Sequence, residues 1–192
     1  MRNNRIHDGK AGIVVYEQGQ EIIDTNDIFA NANTGIQISE GSTPTVRNNR
    51  IHDGKQGGIM VLEQGQGIID TNEIFANAKA GIAIKSGGNP TVRNNRIHDG
   101  KQGGILVHEQ GQGVIDTNDI FANANTGIAI REGGNPTVRN NRIYENADQA
   151  ILVYEKGGGH FENNDLRNNK RGAWNIEADC LPNVTRKDNI EE

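Results

Sequence analysis

The chain is 192 residues long, 33% apolar and 4% aromatic, and 25 acidic against 20 basic side chains give it a net charge of -5. This acidic balance provides no electrostatic basis for binding nucleic acid, and no apolar run is long enough to cross a membrane. The N-terminus lacks the apolar segment of a signal peptide, and the single Cys180 excludes an intrachain disulfide framework. We therefore expect one soluble domain, residues 1–192, that binds neither nucleic acid nor membrane; its compartment is not specified.

The sequence repeats itself with a period of about 46 residues. The heptapeptide NNRIHDG begins at Asn3, Asn48 and Asn94, and NNRIYEN begins at Asn140. Each long repeat divides into two units of 23 residues, as the alignment of Asn95 with Asn118 shows. Each unit contains three short β-branched segments bounded by Gly, Asn or Pro, which leaves no room for a helix of useful length.

This pattern predicts an all-β, single-stranded, right-handed parallel β-helix (a pectin-lyase-like solenoid) of about eight coils of 22–23 residues, with three short strands per coil. We expect regular coils over residues 3–176 and an irregular C-terminal coil or cap over 177–192. Inward side chains such as Ile97, Ile105, Val107 and Ile115 stack into continuous columns about 4.8 Å apart, so few apolar residues suffice for a core.

The first strand of each predicted coil follows a repeated asparagine. Asn tolerates left-handed turn conformations, and stacked amides can hydrogen-bond along the rod, so we interpret this column as a structural Asn ladder. Its members are Asn26, Asn49, Asn72, Asn95, Asn118, Asn141 and Asn164. The flanking charges alternate in sign from coil to coil, as in Asp24, Arg47 and Asp70, which predicts opposite charges above and below each one. A His/Phe column with the same alternation is also interpreted as structural.

The second strand of each coil, with the pattern G-I-x-I, presents apolar and aromatic residues outward. Such a row on one face of a rod is a candidate binding face. It comprises Tyr16, Met60, Leu62, Leu106, His108 and Tyr154. Next to it runs an acidic column formed by Glu17, Glu40, Glu63, Glu109, Glu132 and Glu155.

Stacked carboxylates need solvation, pairing or a bound cation. The acidic column is therefore either a solvated turn or a place for Ca²⁺; otherwise no cofactor and no metal site are expected. The only non-repeated polar cluster suited to acid–base chemistry consists of Lys85, His108, Glu109, Arg131 and Glu132, which are the candidate catalytic residues.

The first coil begins without a segment that would cover its strand edges. Terminal coils of a solenoid normally need caps, so the uncapped N-terminal coil predicts a missing segment, a partner, or an end-to-end or face contact in a homo-oligomer.

The stretch NPTVRNNRIHDGKQGGILVHEQGQGVIDTNDIFANANTGIAIREGGNPTVRNNRI, residues 89–143, resembles the β-helix of F-box-only ubiquitin-ligase receptors and their prokaryotic relatives. This family of carbohydrate-binding and sugar-hydrolase-type repeats also includes, more distantly, the periplasmic copper-maturation proteins of nitrous oxide reductase. The resemblance implies a right-handed parallel β-helix. It transfers no activity, because the chain has no F-box and none of the motifs D-P-H-D, N-T-D, G-H-G and R-I-K of related epimerases and polygalacturonases.

Three functional hypotheses remain open. The first is a non-catalytic scaffold that binds a protein or a polysaccharide on the exposed β-helix face. The second is a carbohydrate-active enzyme, a uronate-polymer lyase, epimerase or hydrolase, with its site near His108. The third is a structural β-helix segment of a larger protein.

Overall fold

The computed structural model describes residues 1–192 and consists of 23 strands and a single 3₁₀ turn. The strands form three parallel sheets of seven, eight and eight strands, and each regular coil contributes one strand to each sheet. The first sheet contains β1 (Arg5–His7), β4 (Asp27–Phe29), β7 (Arg50–His52), β10 (Glu73–Phe75), β13 (Arg96–His98), β16 (Asp119–Phe121) and β19 (Arg142–Tyr144).

The second sheet contains β2 (Ile13–Val15), β5 (Ile36–Ile38), β8 (Ile59–Val61), β11 (Ile82–Ile84), β14 (Ile105–Val107), β17 (Ile128–Ile130), β20 (Ile151–Val153) and β22 (Trp174–Ile176). The third contains β3 (Ile22–Asp24), β6 (Thr45–Arg47), β9 (Ile68–Asp70), β12 (Thr91–Arg93), β15 (Val114–Asp116), β18 (Thr137–Arg139), β21 (Gly159–Glu162) and β23 (Val184–Lys187). The 3₁₀ turn spans Leu181–Asn183. The predicted right-handed parallel β-helix with three strands per coil is confirmed.

The core is a stack of β-branched side chains inside the coil. Strand pairing is in register, so that Ile82 lies beside Ile105 and Ile105 beside Ile128. The predicted inward residues Ile97, Ile105, Val107 and Ile115 are almost completely buried. Because each coil adds the same few side chains to one continuous cluster, a chain that is only one-third apolar fills its interior.

The predicted Asn ladder is present and continues to Asn189. Asn95 Oδ1 accepts hydrogen bonds from the backbone N–H and the side-chain amide of Asn72, at 2.9 and 3.0 Å. Asn95 Nδ2 in turn donates to the carbonyl oxygen of Ile69, at 2.9 Å. The left-handed backbone that we expected at the ladder Asn belongs instead to the residue before it. Asn94 has φ 56°, and so does Thr117.

A second amide ladder, which the sequence analysis missed, follows the first sheet. The Asn77 Oδ1 accepts a hydrogen bond from the Gly54 backbone N–H at 3.0 Å, and the Asn77 Nδ2 donates to the Ile51 carbonyl at 3.0 Å. Glycine alternates with asparagine over the first coils of this column, and a Cβ on Gly54 would lie 2.9 Å from Asn77 Oδ1. The amides of this ladder belong to Asn31, Asn77, Asn123, Asn146 and Asn169.

The predicted His/Phe column is a continuous stack of rings. Neighbouring ring centroids from His7 to Tyr144 lie between 4.6 and 5.4 Å apart, with nearly parallel planes. Repetition of the same contact in every coil supports the structural interpretation of this column.

The alternating charges pair across coils, but few side chains form ion pairs on both sides. Beside the first sheet, Arg50 contacts Asp27 in the preceding coil and Glu73 in the following coil, each at 3.4 Å. Arg93 in the third sheet and Arg96 beside the first sheet each pair only with the carboxylate of the preceding coil, Asp70 at 3.0 Å and Glu73 at 3.1 Å. The register places opposite charges above and below in both columns, as Arg93 lies beside Asp70 and Asp116, which confirms the predicted alternation.

The segment after Ile176 rejoins the solenoid. β23 pairs in register with β21, and Asn189 Oδ1 accepts the Asn164 backbone N–H at 3.0 Å. Trp174 packs edge-on against the buried Phe161 ring at a centroid distance of 5.3 Å. No helix in the chain has the length and hydropathy of a membrane span.

Candidate functional site

A groove runs along the outer surface of the second sheet, parallel to the axis of the rod. Its floor is the central, outward residue of each strand, and large and small side chains alternate there in the order Met60, Ala83, Leu106, Ala129, Leu152. The small residues leave two adjoining depressions of about 450 and 280 Å³, which share Ala80, Gln102 and Leu106. Repetition of the two-coil unit therefore extends one elongated groove.

One wall of the groove is a column of polar side chains in the turn before the second strand. Successive coils contribute Asn33, Gln56, Lys79, Gln102 and Asn125 at the same position. This wall was not predicted from the sequence, although a polar side chain stands at the same position in five successive coils. At the far end of the groove Arg131 and Tyr154 form the opposite wall.

Some residues of the predicted binding face line the groove, and the others lie outside it. Met60, Leu106 and Tyr154 line the groove. Tyr16 is 53% exposed but lies beyond the N-terminal end of the groove, and Leu62 is half-buried beside it. His108 is only 8% exposed and does not line the groove. The expected exposed apolar row is thus corrected to a half-buried groove floor, because neighbouring coils cover much of each side chain.

The structure brings all five candidate catalytic residues together at the turn that follows the second strand. His108 Nδ1 lies 3.3 Å from Glu109 Oε1 and 3.4 Å from Glu132 Oε2. Lys85 Nζ lies 3.5 Å from Glu109 Oε1, and the Arg131 guanidinium contacts Glu132. Among these five residues only Arg131 lines the groove. The cluster therefore lies beside the groove and not in its floor.

The electrostatics of this cluster follow from burial and from close partners. Burial lowers the pKa of His108 more than the carboxylates of Glu132 and Glu109 raise it, so its imidazole is neutral at pH 7. The Ser86 hydroxyl, which donates to Glu109 Oε2 at 2.6 Å, lowers the pKa of Glu109 with help from Lys85. Burial raises the pKa of the Tyr154 phenol.

The predicted acidic column occupies a tight turn in which the backbone is left-handed. Its glutamates have φ between 47° and 52°, and Ser86 takes their place in one coil. The column is not uniform in its surroundings. Lys85 or Arg131 forms ion pairs with Glu109, Glu132 and Glu155. The remaining members, Glu17, Glu40 and Glu63, are exposed and form no ion pair. His108, Glu109 and Glu132 are the one group of three potential metal ligands whose ligand atoms lie within 4.8 Å of one another.

Several solved structures share this architecture. The periplasmic alginate epimerase AlgG superimposes with a TM-score of 0.87 at 18% identity, covering 98% of this chain and 50% of that one. The A-modules of two mannuronan C-5 epimerases of Azotobacter vinelandii are also similar. AlgE4 gives a TM-score of 0.84 at 18% identity over 96% of this chain and 56% of its own, and AlgE6 gives 0.81 at 20% over 99% and 57%. The chain spans about half the length of these structures.

At such identities these likenesses establish the fold alone, and no curated protein matches the chain. The family described as "Right handed beta helix region" matches residues 1–62 and 55–189. This match confirms the β-helix resemblance, and it does not point to F-box receptors or copper-maturation proteins in particular. The chain belongs to the right-handed β-helix family.

Proposed function

We propose that the protein binds an anionic polysaccharide lengthwise in the groove of the second sheet. The observation that carries this proposal is the shape of the groove. It crosses six coils, from Asn33 to Tyr154, which corresponds to a length of about 24 Å at the usual strand spacing. An extended, open groove suits several consecutive units of a polymer better than a single small molecule.

The side chains along the groove have the chemistry that sugars require. The amides of Gln56, Gln102 and Asn125 can each donate and accept hydrogen bonds, as sugar hydroxyls do. Leu106 and the ring of Tyr154 offer apolar surface to the C–H faces of sugar rings.

Charge favours an anionic chain over a neutral one. The charged side chains that line the two depressions, Lys79 and Arg131, are both cationic, and no carboxylate lines either depression. Arg131 is paired with Glu132 and Glu155, so Lys79, which forms no ion pair, is the available cation in a groove whose lining contains no carboxylate. The likeness of its fold to epimerases of alginate, a uronate polymer, also supports a uronate ligand.

The test fills the groove without changing the core. Ala83 and Ala129 lie on the groove floor, so the double variant Ala83→Trp, Ala129→Trp should occupy both depressions. We expect the affinity for uronate oligomers, measured by isothermal titration calorimetry, to fall at least about tenfold, equivalent to about 1.4 kcal/mol. The matched control Thr91→Trp, on the outer surface of the third sheet, should bind like the wild type.

The same samples distinguish the other hypotheses. Wild-type protein that binds none of a panel of uronate and sulfated polymers would contradict the proposal and favour a protein partner or a purely structural role. Turnover of a uronate polymer, seen as unsaturated chain ends or an altered ratio of epimers, would favour the enzymatic hypothesis. Binding that the double variant leaves unchanged would place the polysaccharide on a different face.

A further inference from the structure

One imidazole nitrogen lies between two carboxylates at the edge of the second sheet. His108 Nδ1 faces Glu109 Oε1 at 3.3 Å and Glu132 Oε2 at 3.4 Å, and the three atoms all lie within 4.8 Å of one another. The His108 side chain is nine-tenths buried, whereas both glutamates reach solvent. An ion from solution can therefore approach the carboxylates while the imidazole stays fixed.

Hydrogen bonding within this cluster is incomplete. One ring nitrogen carries at most one hydrogen and satisfies one carboxylate at a time. Both distances are longer than the value of about 2.7–2.9 Å that is usual when a charged group takes part in a hydrogen bond. They agree with donors that share an ion, because two ligands bonded to Zn²⁺ at about 2.0–2.1 Å in tetrahedral geometry lie about 3.4 Å apart.

Neighbouring side chains orient both carboxylates toward His108. The Ser86 hydroxyl donates to Glu109 Oε2, which leaves Oε1 facing the imidazole. The Arg131 guanidinium holds Glu132 Oε1, which leaves Oε2 facing the imidazole. Such outer contacts typically fix the ligands of metal sites. Lys85, 3.5 Å from Glu109 Oε1, is the cation that an incoming metal ion would displace.

This arrangement occurs once in the solenoid. At the position of His108 the coils with the same phase carry Tyr16, Leu62 and Tyr154, none of which is a strong metal ligand beside its glutamate. Likewise, Ser86, which orients Glu109, occupies the position that holds a glutamate in all the remaining regular coils. Two departures from the repeat thus meet at the same place.

We propose that His108 Nδ1, Glu109 Oε1 and Glu132 Oε2 form a binding site for a divalent transition-metal ion, with Zn²⁺ as the best-matched ion and water as the remaining ligand. One imidazole with two carboxylates is a common ligand set for zinc and related ions. Calcium, the ion considered from sequence, prefers six to eight oxygen ligands and gains little from the imidazole.

The test measures metal binding alone, independently of any polysaccharide. Tag-free protein treated with a chelator is titrated with ZnCl₂ by calorimetry, and the melting temperature is measured with and without the metal. We expect saturable binding of one Zn²⁺ ion at this site and a rise in melting temperature, because the ion binds the folded chain. His108→Leu, which introduces the residue found at position 62, and Glu132→Gln should each weaken binding at least about tenfold.

Two further variants separate coordination from general electrostatics. Lys85→Met removes the competing ammonium group and should strengthen Zn²⁺ binding. Glu63→Gln removes a carboxylate of the same column that has no histidine beside it, and it should leave the affinity unchanged. Equal Zn²⁺ affinity in the wild type and His108→Leu would overturn the proposal, as would a preference for Ca²⁺ over Zn²⁺. Unchanged melting temperatures of the metal-free variants exclude a loss of fold as the cause.

Discussion

At the scale of single residues, the Asn ladder shows how one side chain supports three coils. The Asn95 amide accepts from Asn72, donates to the Ile69 carbonyl and donates to Asn118 Oδ1. It is almost completely buried, so each of these groups would otherwise be shielded from water without a partner. The ladder amides therefore supply the hydrogen bonds that water would supply to an exposed turn.

Asn95→Ala should consequently be costly. The substitution leaves the Asn72 backbone N–H without its partner and removes one hydrogen bond from the Ile69 carbonyl, and we expect a loss of about 3 kcal/mol in the free energy of unfolding. Urea denaturation followed by circular dichroism measures this loss. The matched control is Asn4→Ala at the exposed end of the same ladder, where water can replace the amide and the loss should stay below about 1 kcal/mol. Equal losses at both positions would contradict the explanation.

Residue identity alone predicted some of these positions and not others. The ladder and His108 could be found from sequence, because one is a strict repetition and the other a departure from it. The position of the left-handed turn could not, since Asn94 and Asn95 are both asparagines and only the stacking of coils decides which one turns. The burial of His108 likewise depends on neighbouring side chains from adjacent coils.

At the scale of secondary-structure elements, the acidic side chains of the third sheet are held by hydrogen bonds from neighbouring coils and residues. The Asp24 carboxylate accepts hydrogen bonds from Asn48, Thr25 and Arg47. These contacts, that of Asn48 foremost, lower the pKa of Asp24 to about 2. The pKa of Asp70 is also lowered, because Asn94, Thr71 and Arg93 together outweigh the effect of burial.

This shift predicts a pH-dependent contribution of Asp24 to stability. Its folded pKa lies below the ordinary value of 3.8, so the stabilisation is fully present above about pH 5 and is lost as the pH falls through the folded pKa of about 2. Asp24→Asn should therefore lower the melting temperature at pH 7, and the difference from the wild type should shrink progressively as the pH falls to 2. Melting curves between pH 7 and pH 2 measure it. The control Glu63→Gln should parallel the wild type throughout, and a difference that stays constant down to pH 2 would refute the assignment.

The elements themselves were more predictable than the surfaces between them. Gly, Asn or Pro lies next to most strands, so three strands per coil could be predicted from the spacing of these residues. The second amide ladder could not be predicted in this way, because Gly54 stands at the same position in the coil between those of Asn31 and Asn77. The linear sequence therefore does not show an asparagine in every coil. The groove was missed for a related reason. Its polar wall mixes Asn, Gln and Lys, which share a position without sharing an identity.

At the scale of the whole molecule, the chain repeats its backbone every coil but its charges every two coils. Arg47 lies beside Asp24 and Asp70, and the next arginine of that column, Arg93, is two coils away. The geometric period and the electrostatic period therefore differ. If the pairing of coils shifts by one coil, the buried side chains stay in register but like charges lie beside each other. If it shifts by two coils, the buried side chains stay in register and opposite charges remain neighbours.

Two internal deletion variants test the geometric period and the electrostatic period separately. Removing residues 49–71, one coil of 23 residues, joins Asn48 to Asn72 and places Arg47 beside Arg93 and Asp27 beside Glu73. Removing residues 26–71, two coils, places Asp24 beside Arg93 and preserves the alternation. Both variants should keep the β-helix, because neighbouring coils remain similar and solenoid stability is nearly a sum over coils and their interfaces.

The melting temperatures of the two deletion variants should respond differently to salt. This difference tests whether repulsion between like charges destabilises the one-coil deletion. At about 1 M NaCl the Debye length falls to about 3 Å, so repulsion between stacked like charges is largely screened. Adding salt should therefore raise the melting temperature of the one-coil deletion relative to that of the wild type, while the two-coil deletion should respond as the wild type does. Because the two-coil deletion loses more buried surface, a greater sensitivity of the one-coil variant cannot come from the core. Parallel salt responses of all three proteins would show that the charge alternation does not set the register.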